Sequence, residues 1–372
     1  MEARRRISRH MRVLGLIFLI MAVADNRAFA ADASFIADLN TISTVSTTIP
    51  TNGDVNPYGV ARVPRTRGSL VEGRFLISNF NNGANHQGTG TTIVQIAPNG
   101  TFSLFAQIDP SKVSCPGGIG LTTALVALRS GLVVVGSLPT MAGDPTTSQA
   151  GCLIVLDSKG NVIKTISGHQ INGPWDMTAV DGGPLAALFV TNVLNGTVAA
   201  KGSVVNGGTV VRLLLAIPES GPPELIDSTV VASGFPERTD SAALVIGPTG
   251  VAFDDDSGIL YVADSLKNRV AAIPDALFRP NSAGPGLTVS KGGALNDPLG
   301  LTIARDHHLI AANGDDGNLV EINPPSGKQV AVKLVDNTGG PPPGSGALFG
   351  LIAVRDGVYF VDDASNTFNF LH

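Results

Sequence analysis

Thr249-Gly250-Val251-Ala252, then Leu260-Tyr261-Val262-Ala263-Asp264, then Arg269-Val270-Ala271-Ala272-Ile273 are three short apolar runs separated by Asp, Ser, Gly and Asn. Runs of this length are too short for helices, and the polar turns between them read as strand connections. The first run recurs as Tyr58-Gly59-Val60-Ala61, Ile119-Gly120-Leu121-Thr122, Trp175-Asp176-Met177-Thr178, Leu299-Gly300-Leu301-Thr302 and Phe349-Gly350-Leu351-Ile352. Successive copies lie 61, 56, 74, 50 and 50 residues apart. The second run returns in each copy, as Phe75-Leu76-Ile77-Ser78-Asn79 and Val358-Tyr359-Phe360-Val361-Asp362 show, with Val133 to Ser137 the weakest. A unit of about fifty residues that makes one small antiparallel sheet cannot bury both faces alone, and such units stack around an axis as propeller blades. Six copies predict an all-β, six-bladed β-propeller over residues 31–372. The sixth unit ends at His372 after three strands, so the strand-like Leu39 to Ile49 is expected to supply its fourth.

Tyr261-Val262-Ala263-Asp264-Ser265-Leu266-Lys267-Asn268-Arg269-Val270 resembles the centre of an NHL repeat, and Val361-Asp362-Asp363-Ala364-Ser365-Asn366-Thr367 echoes it. The whole resembles bacterial exported NHL-repeat propellers without an assigned activity, of the broader TolB-like type. It is more distantly similar to the gluconolactonase and paraoxonase propellers. Three segments depart from compact blades: Lys201 to Asp240, Asn281 to Asn296, and the Pro- and Gly-rich Gly339 to Gly346.

Residues 1–30 carry Arg4, Arg5, Arg6, Arg9 and Arg12, the apolar run Val13 to Val23, and the small-x-small Ala28-Phe29-Ala30. That is the grammar of a cleaved signal peptide, and the run is too short to span a bilayer comfortably. The expected address is periplasmic or secreted, with no membrane insertion of the mature chain. Cleavage after Ala30 would remove six arginines and two acids and move the net charge from −5 to −9. So acidic a chain is a poor partner for nucleic acid or anionic membranes. Cys115 and Cys152 are the only cysteines. In an oxidising compartment they are expected to pair, two buried thiols being the alternative. A monomer is expected.

Neighbouring strands run antiparallel, so the entry to each first strand and the exit from each second strand share one face of the ring. Asn56, Asn172, Asp176 and Asn296 lie near entries, and Asn79, Asn192, Asp264, Asn313 and Asp362 near exits. They could form an oxygen-rich rim suited to a polar ligand or to a divalent cation such as calcium. Asn and Asp also cap strand ends by bonding nearby backbone, and repetition in most blades favours that role. Asp176 stands apart because the other five copies have glycine there, and because it lies beside the only tryptophan, Trp175. His86, His169, His307, His308 and His372 show no zinc spacing, and no nucleophile motif is present. The leading reading is a binding or scaffold propeller for a protein, glycan or small ligand. The alternative is a metal-dependent lactonase or esterase, in which the resemblance implies a glutamate at the start of an inner strand, a place that only Asp176 could fill. A quinone-dependent oxidoreductase is set aside for want of a larger ring and more tryptophans.

Overall fold

A computed structural model describes residues 33–240 and 243–372. The leader reading falls outside the described residues. The first strand, β1 (Ile42–Thr47), precedes the ring. Blade one is β2 (Val55–Arg62), β3 (Phe75–Asn81), β4 (Thr92–Ile96) and β5 (Phe102–Gln107). Blade two is β6 (Leu121–Ala127), β7 (Val133–Ser137), β8 (Cys152–Leu156) and β9 (Val162–Ile166). Blade three has five strands: β10 (Pro174–Asp181), β11 (Leu185–Asn192), β12 (Val205–Ala216), β13 (Glu224–Asp240) and β14 (Leu244–Ile246). Blade four is β15 (Pro248–Asp254), β16 (Ile259–Asp264), β17 (Arg269–Ile273) and β18 (Leu287–Lys291). Blade five is β19 (Pro298–Ile303), β20 (Leu309–Asn313), β21 (Asn318–Asn323) and β22 (Lys328–Leu334). Blade six is β23 (Leu348–Val354), β24 (Gly357–Asp362), β25 (Thr367–Leu371) and β1, in the order β1-β25-β24-β23.

The molecule is thus a six-bladed β-propeller, closed as the incomplete last unit requires. β1 lies antiparallel to β25, with Ile42 opposite Leu371 and Thr47 opposite Thr367. The closure has a second fastening. The carboxylate of Glu321 on β21, fully buried, accepts from the amides of Phe35 and Ile36 (both 2.8 Å), from Ser34 Oγ (2.7 Å) and from His308 Nδ1 (2.6 Å). Ile36 is itself fully buried among Leu319, Phe360 and Leu371.

Burial explains why the second and third strands read as unbroken apolar runs rather than as alternating ones. A middle strand is covered on both faces by the blades beside it, and β3, β4, β7, β8 and β24 are buried at every residue. Outer strands such as β9 and β22 face solvent and are only partly buried.

The recurring glycine of the first strand answers to close approach around the ring. A Cβ on Gly59 would lie 2.7 Å from the carbonyl oxygen of Thr123 in blade two, and one on Gly250 would lie 2.6 Å from that of Leu299 in blade five. Gly300 would meet the carbonyl of Phe349 and Gly350 that of Tyr58 in the same way. Two blades depart from this pattern: in blade two the pairing of Leu125 with Val135 puts Ala124, not the expected Gly120, at the waist, and blade three has Asp176. There the Asp176 carboxylate spans to blade four by accepting the amide of Val251 (3.0 Å).

The three irregular segments have different fates. Lys201 to Asp240 is mostly the long β12–β13 hairpin, Asn281 to Asn296 contains the outer strand β18, and Gly339 to Gly346 is a loop at one end of the ring. Cys115 and Cys152 have Cα atoms 5.5 Å apart and form a disulfide that ties the loop before β6 to β8.

Candidate functional site

The channel holds two cavities with no lining residue in common. Where the first strands begin lies a polar mouth of about 370 Å³. Where they end lies a cavity of about 400 Å³ walled by Val60, Leu125, Met177, Val251, Leu301 and Leu351 among others. Tyr58, Leu299 and Phe349 floor the mouth, and each is followed by a waist glycine and then by a residue of the far cavity or its rim. Tyr58 stacks on Phe349 at 3.8 Å and on Phe80 at 4.4 Å, with Trp175 6.4 Å from it.

The blade-three insertion builds much of the mouth. After β13 the chain turns back as β14, with Arg238 paired to Ile246, so Leu244 and Val245 pack into the waist cluster with Tyr58, Phe80, Leu138 and Trp175. The same hairpin presents Arg238 and Asp240 to the mouth as an ion pair of 2.8 Å. Opposite stand Asp297 and Asp315, from the loops before and after the first two strands of blade five, and Asp363 after β24.

Asparagines complete the wall. Asn56, oriented by its neighbours, donates to Asp363 Oδ1 (2.7 Å) and Oδ2 (3.2 Å) and accepts from Asn81 Nδ2 (3.0 Å). Asn56 holds a φ of 63°, a left-handed conformation that Asn tolerates better than most residues. Burial raises Asp297 to about 7, with the charges of Asp315 and Asp240 adding to it. Burial, then Asp362, raises Asp363 to about 7. Burial also pushes the Tyr58 hydroxyl well above its ordinary value, with Asp363 reinforcing it.

The residues singled out from the sequence separate into three groups. Asn56 and Asn296 line the mouth, while the third entry asparagine, Asn172, lines neither cavity and donates its Nδ2 to the Leu194 carbonyl (3.0 Å) and to Asn195 Oδ1 (3.1 Å). Asn79, Asn192, Asp264, Asn313 and Asp362 are buried at the ends of second strands and line neither channel cavity. Asn79 Nδ2 donates to the Thr48 carbonyl (3.1 Å), Asn192 Oδ1 accepts the Asn172 amide (2.8 Å), and Asn313 Oδ1 accepts the Asn296 amide (3.1 Å). Asp362 Oδ1 accepts the Ser365 amide (3.1 Å), and Asp264 Oδ2 takes Nε (3.0 Å) and Nη2 (2.8 Å) of Arg269. The contacts of Asn79, Asn192 and Asn313 hold entry segments against the strand ends, while those of Asp264 and Asp362 fasten the turn that leaves the second strand. Asp176 lines the far cavity, with Oδ1 accepting the Met177 amide (2.8 Å) and Oδ2 that of Val251. Burial raises it to about 7.

The mouth acids Asp240, Asp297, Asp315 and Asp363 carried little signal in the sequence. Each sits one or two positions outside a repeated strand end or within an insertion, where alignment of the copies gives no reason to stop.

Raised carboxyls give stability an unusual pH slope. A carboxyl whose folded pKa exceeds its unfolded one contributes stability that is fully present below about 4 and is lost as pH rises through the folded value. Asp176, Asp297 and Asp363 at about 7, with Glu237 at about 8, place that loss between pH 4 and 8. We expect the protein to be about 2 kcal/mol less stable at pH 8 than at pH 5, well under the formal sum because the cavities admit water. Urea midpoints at the two pH values check this, and a higher midpoint at pH 8 would refute it.

No family model matches the chain. A stretch of 134 residues is 30% identical to Outer membrane protein B of Rickettsia japonica, covering 36% of this chain but only 7% of that protein. Among solved structures, a gluconolactonase from Xanthomonas campestris superposes with a TM-score of 0.54 at 12% identity, over 92% of both chains. The PQQ-bound aldose sugar dehydrogenase of Streptomyces coelicolor gives 0.53 at 16% identity, over 89% of this chain and 97% of that one. A glucose dehydrogenase gives 0.53 at 13% identity, over 90% and 99%. Such identities establish the shared fold alone. No helix among the described residues is long and apolar enough to cross a membrane.

Proposed function

We propose that this propeller, exported to the periplasm or beyond, binds a small hydroxyl-rich ligand of the saccharide class in the polar mouth. One observation carries the reading: amide, carboxylate and guanidinium groups from blades one, three, four, five and six converge on a cavity of about 370 Å³ floored by Tyr58 and Phe349. A pyranose presents one apolar C–H face and a girdle of hydroxyls that both donate and accept. The stacked aromatic floor suits the face, while Asn56, Asn81, Arg238 and the acids suit the girdle. Three of the solved structures that share the fold act on sugars or their lactones by name, which supports the class but not the chemistry.

Isothermal titration with a panel of monosaccharides and aldonolactones tests it. Saturable binding that weakens at least tenfold in Asn56→Ala is expected, and an absence of heat across the panel would remove the reading.

Metal-dependent lactone or ester hydrolysis is favoured by one further observation. Added to burial, the charges of Asp315 and Asp240 raise the proton affinity of Asp297, and those of Asp240 and Asp316 raise that of Asp315, and a divalent cation would relieve that repulsion. Asp176 lies in the other cavity and could not join them. Elemental analysis of the protein after dialysis without chelator decides: about one calcium or zinc per chain would put hydrolysis ahead, and a metal-free chain would leave saccharide binding.

A further inference from the structure

At the waist of this ring blade three carries a carboxylate, where blades one, four, five and six have glycine and blade two, by the register that sets Leu125 opposite Val135, has Ala124. At Gly59, Gly250, Gly300 and Gly350 a Cβ would run into the backbone of the next blade or a side chain beside it, so no functional group can stand there. Blade three has room, and Asp176 uses it to place a carboxylate at the inner end of the far cavity. Each of its oxygens accepts one backbone amide, from Met177 and from Val251. An ionised carboxylate has about four acceptor sites, so one on each oxygen stays available to a donor in the cavity.

Leu301, Leu351, Ile352, Val251 and Met177 contribute apolar wall beside Thr123, Thr178 and Thr302, Asp176 is the only carboxylate among the lining residues, and Arg62 is an exposed cation at the lining. A lone carboxylate at the inner end of a cavity that also offers the side chains of Leu301 and Leu351 is complementary to a cation carried on a short apolar chain.

We infer that the far cavity is a second binding site, independent of the polar mouth, for a primary alkylammonium ligand whose charged head meets Asp176 and whose chain lies along Leu301 and Leu351. The volume of about 400 Å³ accommodates such a molecule with water to spare. A neutral alcohol of the same length offers the same chain and one donor but no charge, so it should bind much less well. Burial holds the free Asp176 carboxyl at about 7, so the ammonium must displace a proton at neutral pH. Binding should therefore strengthen from pH 6 to pH 8, with proton release into the buffer at the lower pH.

Isothermal titration of the full chain with n-pentylammonium and with n-pentanol at pH 8 tests this. Saturable pentylammonium binding is expected, at least tenfold tighter than pentanol and at least tenfold weaker in Asp176→Asn, whose amide keeps the shape. Thr178→Phe, which narrows the cavity without touching the carboxylate, should abolish binding of both probes. Equal affinity for the two probes, or an Asp176→Asn isotherm identical to that of the parent protein, overturns the inference. No mouth residue contributes to this cavity, so a protein that binds no saccharide can still bind pentylammonium, and the two readings fail separately.

Discussion

Replacing Glu321 by alanine is expected to lower stability by about 3–5 kcal/mol, the cost typical of removing one partner from a buried, hydrogen-bonded charge. The Glu321 side chain is fully buried, and its two oxygens serve Ser34, Phe35, Ile36 and His308. Alanine would leave two backbone amides without their acceptor and would leave His308 with only Asp306, at 3.5 Å. The consequence should reach past blade five. Residues 34–36 are the anchor from which the chain runs to β1, and β1 is the fourth strand of blade six. Losing the anchor lengthens the free segment before the closing strand and makes the seam between blades five and six the first place to open. Urea denaturation should show the lowered midpoint, and hydrogen exchange at Ile42 to Thr47 should accelerate more than exchange in blade two. Glu321→Gln keeps one acceptor oxygen and the shape, so it should recover part of the loss. An unchanged midpoint in Glu321→Ala would mean that pairing of β1 with β25 alone closes the ring.

The closing strand was legible because a deficit can be counted: three strands in the last unit and one spare run at the front. The latch behind it was not. Glu321 reads as one polar residue in Asn318-Leu319-Val320-Glu321-Ile322, sharing a face with Leu319 in a strand that is buried on both sides. Nothing in that run says that residues 34–36 supply the donors its buried carboxylate needs. The candidate site shows the same division. Repetition exposed Asn79, Asn192, Asp264, Asn313 and Asp362, and what repeats in every blade serves what every blade needs, a fastened strand end. Asp363 lies one step beyond Asp362, Asp315 two beyond Asn313 and Asp297 one beyond the entry residue Asn296, and Arg238 and Asp240 lie in an insertion. They converge through the closure of the ring, which a reading of single blades does not contain. Asp176 was legible because it breaks a repeat, and its place in the far cavity rather than the mouth depends on which way the waist residue points.

Gly250→Ala is expected to cost about 3 kcal/mol, at the upper end of what an added methyl costs in a packed interior. Its Cβ would lie 2.6 Å from both the Leu299 carbonyl oxygen and the Leu301 amide nitrogen. Both are backbone atoms of the adjacent inner strand, so no side-chain rotation can give way, and β15 and β19 must separate. The strands around the waist are linked by such contacts from blade four through five, six and one to two, so a displacement at one seam is resisted by the others. Relaxation should therefore be poor and the cost high. Asp176 supplies the contrast, because it stands at the same place in blade three and already carries a Cβ. Asp176→Ala removes the acceptor for the Met177 and Val251 amides, which border a cavity where water can take its place, so its cost should stay near 1 kcal/mol. Guanidinium denaturation of the two variants compares them directly. If Gly250→Ala proved as mild as Asp176→Ala, the glycines would be conserving turn freedom rather than clearance, and the room for a side chain at blade three would lose its significance as the place where this ring departs from its own repeat to hold a functional group.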